Sequence, residues 1–537
     1  EICEDESKSY QQKLQDKTYS SVIDKAKEFE GHVVYSGVHA AGTVISPIAL
    51  DDIVPTKIVD GEVVSVFDMH DLEQIGIVKY DILSLNTLDT IQDTLKQIDL
   101  KIADIPLDDQ KTFDLINNTS NVGIFQLSSK GISQLANQMK VSSIDEIAAV
   151  VALYRPGPMA SGLHTAYVRR KHGEEPVSYL HPSLEAVLGD TYGVMVYQEQ
   201  IIKIARVLAG FTEKEADNLR KAVGKKILEL MKSQGKQFID GCLANNIPEK
   251  AADQIWMQIA EFAEYAFCAA HAVGYAYITY YTAYLKANYP TEFMAAILNN
   301  TDSSKDKFSV YIEECKKMGI QLMPPSLKNG SKDFIAKDNT VLFGFKHIKG
   351  LGDKTTAIFN RNYQSLEEFT SVAKPTKETL IILAECGVFD EFGYNRNTIM
   401  QNAESIRNLK NRPSLLKTSQ TITVFPELPE DDLAEKEFSR LSTYITYDPL
   451  KGKDLYTPDK LDSDLLIDGF VCDVYTKITK NKKTIGILEL YTRLGKIECL
   501  AFGRMVVKLE KINKKDYVRV HGEYGDALIL QQINRIA

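Results

Sequence analysis

The chain has 537 residues, of which 44% are hydrophobic and 25% charged, and its formal net charge is −10. This is the composition of an ordinary globular protein of several domains, and no apolar run reaches the roughly 20 residues that a membrane-spanning helix needs. The seven cysteines include no C-x-x-C pair, which argues against a structural zinc site. We therefore expect a cytoplasmic protein in a reducing compartment, without membrane contact.

The negative net charge hides an uneven distribution. Basic residues outnumber acidic ones over 155–232 and 465–537, whereas acidic residues dominate 421–464 between them. Two basic regions joined by an acidic stretch are compatible with a protein that grips phosphates locally, although exposed charged faces are usually only solvated. The charge pattern permits a nucleic-acid partner without establishing one.

Residues 1–100 combine a helical opening, "SVIDKAKEFE", with β-type runs that end in "IGIVKYDILSLNTL" at 75–88. Asp81 is the one acidic side chain in this apolar run, and Lys79 shares its face of a strand because side chains alternate with period 2. One interpretation is a plain ion pair at the surface. A second is a metal ligand beside a phosphate-binding lysine, and a third is a hydrolase metal site shared with Asp68 and Asp71.

Residues 101–300 are predicted to be mostly helical. The prolines of "RPGP" make a rigid corner that presents Arg155, and Tyr197 and Gln198 stand in the apolar segment "YGVMVYQEQIIKIA", where core packing is the alternative. Further cations suit the oxygens of a triphosphate, although a cationic face on an ordinary helix is commoner. They are Arg169, Arg170, Lys171, Arg220, Lys221, Lys225 and Lys226.

Residues 301–400 are predicted to form shorter helices and turns. The segment "FGFKHIKGLGDKTT" at 343–356 resembles a helix-hairpin-helix connector, in which glycines and backbone amides approach a phosphate. Its candidate DNA contacts are Lys349, Gly350, Gly352 and Lys354. A polar, acidic connector at 401–464 follows, with a helical piece near "DLAEKEFSRL".

Residues 465–537 are rich in alternating β-strand patterns and have the size of an OB-fold. Lys482 is a candidate DNA contact, and Tyr475, Tyr491 and Phe502 are candidates to stack bases. The alternative is that some of these aromatic rings fill the barrel. The predicted fold class is therefore multi-domain α+β: a partial sheet in the first hundred residues, a large helical region, a helix-hairpin-helix domain and a C-terminal OB-fold barrel.

Taken together and in order, these stretches resemble the alpha subunit of bacterial DNA polymerase III, the C family of replicative polymerases. The resemblance covers nearly the whole chain. It is carried by "HAAGTVISP", "VKYDILSLNTL", "VGIFQLSSKG", "VALYRPGPMASG", "RRKHG", "TYGVMVYQEQ", "ADNLRKAVGKK", "YPTEFMAAIL", "LMPPSLKNG", "FGFKHIKGLG" and the terminal OB-like segment.

The resemblance implies domains in a set order. They are the remainder of the palm at 1–100, fingers at 101–300, a helix-hairpin-helix and clamp-binding domain at 301–400, the acidic connector at 401–464 and the OB-fold at 465–537. It also implies primer–template DNA, single-stranded template, dNTPs and a sliding clamp as partners. Gln420, Ile422 and Phe425 lie where many members dock on the clamp.

The resemblance further implies that Asp81 is the third of three catalytic aspartates and ligates Mg²⁺, with two ions in the complete palm, and that Lys79 lies near the triphosphate. The family's other two aspartates form a D-x-D on a further palm strand. Asp462 and Asp464 are the only D-x-D here, in the connector where no palm strand belongs. Since the first methionine is Met69, we expect the C-terminal part of a polymerase, inactive without a complementary N-terminal half.

By the same matching, the fingers cations and Tyr197 and Gln198 are candidates for nucleotide or template contact. Where the family commonly has Asn-Lys-Ser-His, this chain has Cys268-Ala269-Ala270-His271, so a basic residue is lost while His271 remains a candidate DNA contact. The predicted function is template-directed nucleotidyl transfer in DNA replication. The alternative is a non-catalytic DNA-binding or repair accessory that reuses the fingers, helix-hairpin-helix and OB modules.

Overall fold

The structure is a computed structural model, and two compact units divide it at Leu85/Asn86. The domain boundaries given above stay predictions. The described residues are 17–29, 32, 37–39, 41–82, 84–118, 121–224, 228–262, 265–303, 306–359, 361–408, 422–458, 464–478, 484–525 and 527–536.

The first unit has little core of its own. Its elements are α1 (Lys17–Glu28), β1 (Gly42–Val44), β2 (Thr56–Val59), β3 (Glu62–Ser65), α2 (Met69–Gln74) and β4 (Lys79–Asp81). They form two separate antiparallel pairs, β1 with β4 and β2 with β3. Val54, Leu72 and Ile77 are its buried apolar residues among those described, which is little for a unit of this length.

Helices dominate the second unit as far as residue 317, as the sequence predicts. They are α3 (Asn86–Ile98), α4 (Gln110–Ile116), α5 (Lys130–Met139), α6 (Ile144–Leu153), α7 (Pro156–Ala160), α8 (Leu163–Lys171), α9 (Glu185–Leu188), α10 (Gln198–Ala209), α11 (Glu213–Gly224), α12 (Leu228–Ala244), α13 (Glu249–Phe262), α14 (Ala269–Asn288), α15 (Pro290–Asn299) and α16 (Asp306–Lys317).

The long helix α14 is the axis of this helical region. Ala272, Ala276 and Ala283 of α14 are fully buried in one core cluster with residues of α6. Their small side chains let α14 and α6 approach closely. Lys286, near the end of α14, is 1% exposed, and its Nζ lies 2.5 Å from Oε1 of Glu314. Burial lowers the pKa of Lys286, and the carboxylate of Glu314 opposes that shift.

The next region joins a small sheet to four helices and to the connector. Its elements are β5 (Gln321–Met323), β6 (Ile335–Lys337), β7 (Thr340–Leu342), α17 (Asp353–Thr356), α18 (Leu366–Ala373), α19 (Lys377–Glu385), α20 (Arg396–Asn408) and α21 (Glu430–Leu441). Arg396, 1% exposed, bonds through Nη1 to Glu437 of α21 at 3.0 Å and through Nη2 to Asp390 at 3.0 Å. The connector helix is thereby anchored to the preceding domain.

The C-terminal strands close into a barrel in the order β10-β12-β11-β8-β9. They are β8 (Asp464–Ile478), β9 (Thr484–Thr492), β10 (Gly495–Ala501), β11 (Tyr517–Tyr524) and β12 (Leu528–Ile536), with α22 (Arg504–Leu509) between the third and fourth. β10 pairs with β12 in parallel and every other pair is antiparallel. This five-stranded closed barrel agrees with the predicted OB-fold, and the helix-rich α+β class is confirmed.

We predict that acid destabilises this protein partly through His347, which is 4% exposed and whose Nε2 has no hydrogen-bond partner among the described residues. Burial and the charge of Lys346 lower the pKa of His347 to about 4. Since the unfolded chain takes up this proton near the ordinary pKa of about 6.5, stability is present above pH 6.5 and is lost as pH falls towards 4, by up to about 3 kcal/mol.

The measurement is the unfolding free energy between pH 7 and pH 4 for the parent and for His347→Phe. The aromatic replacement should flatten the loss, because Phe308 and Phe334 already pack on this ring. His70→Gln, at an exposed position, is the control and should keep the parent's profile. Identical acid profiles for the parent and His347→Phe would contradict the prediction.

Candidate nucleotide and DNA-binding site

The strand β4 brings Lys79 and Asp81 together on one face. In the antiparallel pair, Asp81 stands opposite Gly42 and Lys79 opposite Val44. Nζ of Lys79 lies 2.9 Å from Oδ1 of Asp81, whose side chain is 46% exposed. The carboxylate is therefore paired with its neighbour at an accessible position, as period-2 alternation predicts, and the ion-pair interpretation describes the geometry seen here.

His39 is a neighbour of this carboxylate that the sequence reasoning did not single out. Its Nδ1 lies 3.9 Å from Oδ1 of Asp81 and accepts the backbone N–H of Ala41 at 3.2 Å. It stands in the "HAAGTVISP" segment, whose strand β1 pairs with β4. A prediction from the sequence that this segment pairs with the strand of Asp81 would have placed His39 beside the carboxylate.

Asp68 and Asp71 do not form a hydrolase metal site with Asp81 in this structure. Oδ1 of Asp68 accepts the backbone N–H groups of His70 at 2.8 Å and of Asp71 at 3.0 Å, so Asp68 is the N-cap of α2, and those bonds lower its pKa. Within the described parts of the chain, no three histidine, cysteine or acidic residues group as metal ligands. The described residues therefore supply one carboxylate and do not by themselves fit a two-metal site.

The segment Tyr265–Cys268 gathers several of the predicted fingers residues. Tyr197 and Phe267 form an isolated parallel bridge, and the backbone N–H of Gln198 donates to the carbonyl of Phe267 at 2.8 Å. Nη2 of Arg155 donates to the carbonyl of Tyr265 at 2.6 Å, and its guanidinium lies 4.4 Å from the ring centre of Phe267. Arg155 thus holds this segment in place, and burial lowers its pKa.

Arg220 reaches the same segment through Gln198. Nη1 of Arg220 donates to Oε1 of Gln198 at 3.1 Å, and Nε2 of Gln198 donates to the carbonyl of Ala266 at 3.1 Å. The other side of the guanidinium faces Asp217, with Nη2 at 2.9 Å from Oδ1, and Lys221 binds the same carboxylate at 2.7 Å. Gln198 and Arg220, 22 positions apart, therefore form one polar chain.

The basic run at the end of α8 is split between different partners. Nε of Arg170 lies 2.8 Å from Glu175, and Nζ of Lys171 lies 2.5 Å from Glu146 of α6. Arg169 is exposed, and its guanidinium has no polar partner among the residues that the structure describes. Of the three, Arg169 is therefore the one whose charge is available to a ligand.

Two further residues complete this region. His271 is exposed and its ring lies 4.2 Å from the ring centre of Tyr275. Glu199 was not predicted, yet its Oε2 accepts the backbone N–H of Ala269 at 2.9 Å at the start of α14, where a carboxylate is favourable. The "YQEQ" segment contained it, but its partner lies 70 positions away.

The predicted hairpin is folded against the connector helix. Gly350 has φ +95°, and a Cβ there would lie 2.9 Å from Nη1 of Arg440, so both the backbone conformation and the close approach require glycine. The N–H of Lys349 donates to the carbonyl of Arg440 at 2.9 Å. The exposed Gly352 has open space beside it. Burial and the charge of Lys496 on the barrel lower the pKa of Lys349, and the carboxylate of Glu489, which pairs with Lys496 at 2.8 Å, opposes that shift.

The aromatic candidates on the barrel differ in exposure. Tyr475 is 43% and Phe502 49% exposed, at the open end of the outer face of β8, β9 and β10. Tyr491 is a correction: it is 6% exposed, and its OH accepts from Nζ of Lys316 at 2.9 Å. Its ring packs against Tyr444 of the connector, so it neither lies open for base stacking nor fills the barrel.

The predicted clamp-binding peptide lies along α20. Asn402 bonds both backbone groups of Thr423, and the N–H of Phe425 donates to Oγ1 of Thr398 at 3.0 Å while its carbonyl accepts from Asn395 at 2.9 Å. Ile422 packs against the core beneath. The backbone N–H and carbonyl groups of Thr423 and Phe425 are therefore all bonded to side chains within the chain.

Some predicted contacts cannot be placed. Lys225, Lys226, Gln420 and Lys482 lie outside the described residues, as does Asp462 of the D-x-D, and Lys354 is described in its backbone but not in its side chain. Over the described parts of the chain, no helix is both long and apolar enough to cross a membrane.

Comparison with known proteins agrees with the order of these segments. The model of the bacterial DNA polymerase III alpha NTPase domain matches residues 1–84, that of the alpha subunit finger domain matches 84–246, and a helix-hairpin-helix model matches 319–399.

Relatives named DNA polymerase III subunit alpha match nearly the whole chain. That of Aquifex aeolicus is 35% identical over 93% of this chain and 45% of its own length, and that of Escherichia coli K12 is 32% identical over 94% and 48%. The Campylobacter jejuni protein is 32% identical over 94% and 46%. The chain spans about half the length of the curated relatives it matches, and over that half it belongs to the family of bacterial DNA polymerase III alpha subunits.

Proposed function

We propose that this chain provides palm, fingers, helix-hairpin-helix and OB-fold parts of a DNA-directed DNA polymerase, which adds dNTPs to a primer 3′-OH during replication in the bacterial cytoplasm. The observation that carries the proposal is the Lys79–Asp81 pair on β4, at 2.9 Å and accessible from solvent. A strand carboxylate beside a lysine suits a metal ion next to a triphosphate.

Catalysis in this proposal needs carboxylates from palm strands other than β4. Two Mg²⁺ ions held by the completed set would activate the primer hydroxyl and stabilise the leaving pyrophosphate. Asp81 would contribute one ligand, and Lys79 would turn from Asp81 towards the phosphates. β4 supplies one carboxylate, Asp81, and its single negative charge cannot neutralise two divalent ions. Further carboxylates are therefore needed in this proposal.

The exposed apolar surface of the first unit supports a complementary palm segment as partner. Val78, Tyr80 and Ile82 alternate with Lys79 and Asp81 along β4 and are 54%, 49% and 69% exposed. Among the described residues β4 pairs with β1 alone, and a row of apolar side chains beside its other edge suits further strands and a covering layer. We propose that this face receives the part of the palm that carries the aspartate pair.

The DNA path in this proposal runs from the hairpin to the barrel. Lys349 on the hairpin and Lys496 on the barrel, which pairs with Glu489 at 2.8 Å, would supply the cationic contacts. Tyr475 and Phe502 supply exposed rings on the outer face of the barrel, where OB-folds bind single strands. A sliding clamp is proposed to bind at Ile422 and Phe425, which requires the peptide to leave α20. A non-catalytic DNA-binding accessory would use the same surfaces but would not depend on Asp81.

The test of the catalytic proposal is primer extension by the chain combined with an N-terminal alpha-subunit segment that carries the aspartate pair. Asp81→Asn should reduce extension to background while primer–template binding stays intact, because a neutral amide is a poor Mg²⁺ ligand. Asp51→Asn, an exposed carboxylate of the same unit, is the matched control. Extension by Asp81→Asn at the parent rate would exclude the metal-ligand role, and extension by the chain alone would show that no further carboxylates are needed.

A second prediction concerns the barrel. Phe502→Ala should weaken binding of a single-stranded oligonucleotide by about five- to a hundredfold, since base stacking on an aromatic ring contributes roughly 1–3 kcal/mol. Fluorescence anisotropy with labelled oligothymidine measures it. Val507→Ala, at a position 59% exposed on the neighbouring helix α22, is the control. If both variants bind like the parent, the open face of the barrel is not the single-strand site.

A further inference from the structure

Asp217 occupies the phosphate-binding atoms of two fingers cations at once. Its Oδ1 accepts from Nε of Arg220 at 3.0 Å and from Nη2 at 2.9 Å, while its Oδ2 lies 2.7 Å from Nζ of Lys221. The three residues stand at i, i+3 and i+4 on α11. Both carboxylate oxygens are engaged, Oδ1 by two guanidinium nitrogens and Oδ2 by the ammonium group, and these are donors that also suit phosphate oxygens.

The cluster is open to solvent. The side chains of Arg220, Lys221 and Asp217 are 27%, 56% and 35% exposed. The remaining Nη1 of Arg220 is held by Gln198 at 3.1 Å, so Arg220 keeps its position even when its bonds to Asp217 break. Asp217 can therefore swing away from the cations into water while the guanidinium remains beside the start of α10.

We propose that Asp217 is an internal counter-ion, which holds the anion-binding atoms of Arg220 and Lys221 until a triphosphate displaces it. The inference rests on the proposed function, because it takes these two cations as nucleotide contacts. A triphosphate carries more negative charge than a carboxylate and offers the same kind of oxygen acceptors, so it competes for the same donors. Every nucleotide must then break the Asp217 contacts, and Asp217 lowers the affinity of the site for polyphosphates.

A positioning role for Asp217 makes the opposite prediction. If the carboxylate served to orient Arg220 for the nucleotide, its loss would weaken nucleotide binding. If it is a competitor, its loss strengthens binding, by about three- to tenfold for two exposed ion pairs. The sign of the change separates the two roles.

The experiment measures binding of dTTP and of inorganic tripolyphosphate to the full chain by isothermal titration calorimetry, at low salt and without metal. Asp217→Asn should bind both probes more tightly than the parent. Glu213→Gln, on the same helix and exposed, removes one negative charge without touching either cation in the described structure, and should change binding much less. In an Arg220→Ala, Lys221→Ala background the gain from Asp217→Asn should disappear.

The possible results of this experiment separate the counter-ion inference from the proposed nucleotide role of α11. Weaker or unchanged binding by Asp217→Asn, with parent binding present, overturns the counter-ion inference and leaves the proposed function standing. An equal gain in Glu213→Gln means that general repulsion, and not competition for the donors, is the cause, and it overturns the inference as well. Absence of binding in the parent and in every variant contradicts the nucleotide role of α11 itself and removes the inference with it.

Discussion

The buried guanidinium of Arg396 is the interaction on which the C-terminal half of the molecule depends. An arginine 1% exposed must be paired, because an isolated charge in the interior costs several kcal/mol. Its partners are Asp390 of the same domain and Glu437 of the connector, and the second oxygen of Glu437 accepts the N–H groups of Ile445 and Thr446. One carboxylate therefore fixes the position of α21 and of the turn that leads to the barrel.

Contacts with the anchored connector also position the barrel. Tyr444, next to Ile445, packs on Tyr491 of β9, and Lys316 of α16 bonds the hydroxyl of Tyr491. These contacts cover one end of the barrel's outer face and leave the other end, with Tyr475 and Phe502, open. The same packing brings Lys496 near Lys349 of the hairpin. The proposed DNA path thus depends on the contacts that anchor the connector. In the sequence this connector is distinguished only by its acidic composition.

Pairing also governs the fingers. Of the cations predicted to contact nucleotide, Arg155, Arg170, Lys171 and Arg220 have intramolecular acceptors, whereas Arg169 has none among the described residues. The proposed nucleotide site, built from such residues, would bind by exchange of partners. The first unit is the reverse case, because its described residues bury few apolar side chains and leave the apolar side of β4 exposed.

Much of this protein could be predicted from local pattern. Period-2 alternation placed Lys79 and Asp81 on one face, apolar periodicity predicted the helical region, and alternating strands predicted the barrel, since each of these depends on residues close in sequence. Tertiary structure alone decided which of these cations have partners among the described residues, where Tyr491 lies, and which groups Glu199 and Asp217 bond. Arg155 meets Tyr265 across 110 positions, and Lys316 meets Tyr491 across 175. The partner of a charged group or hydroxyl is determined only when distant segments pack, because the group bonds to whichever partner the fold brings within reach.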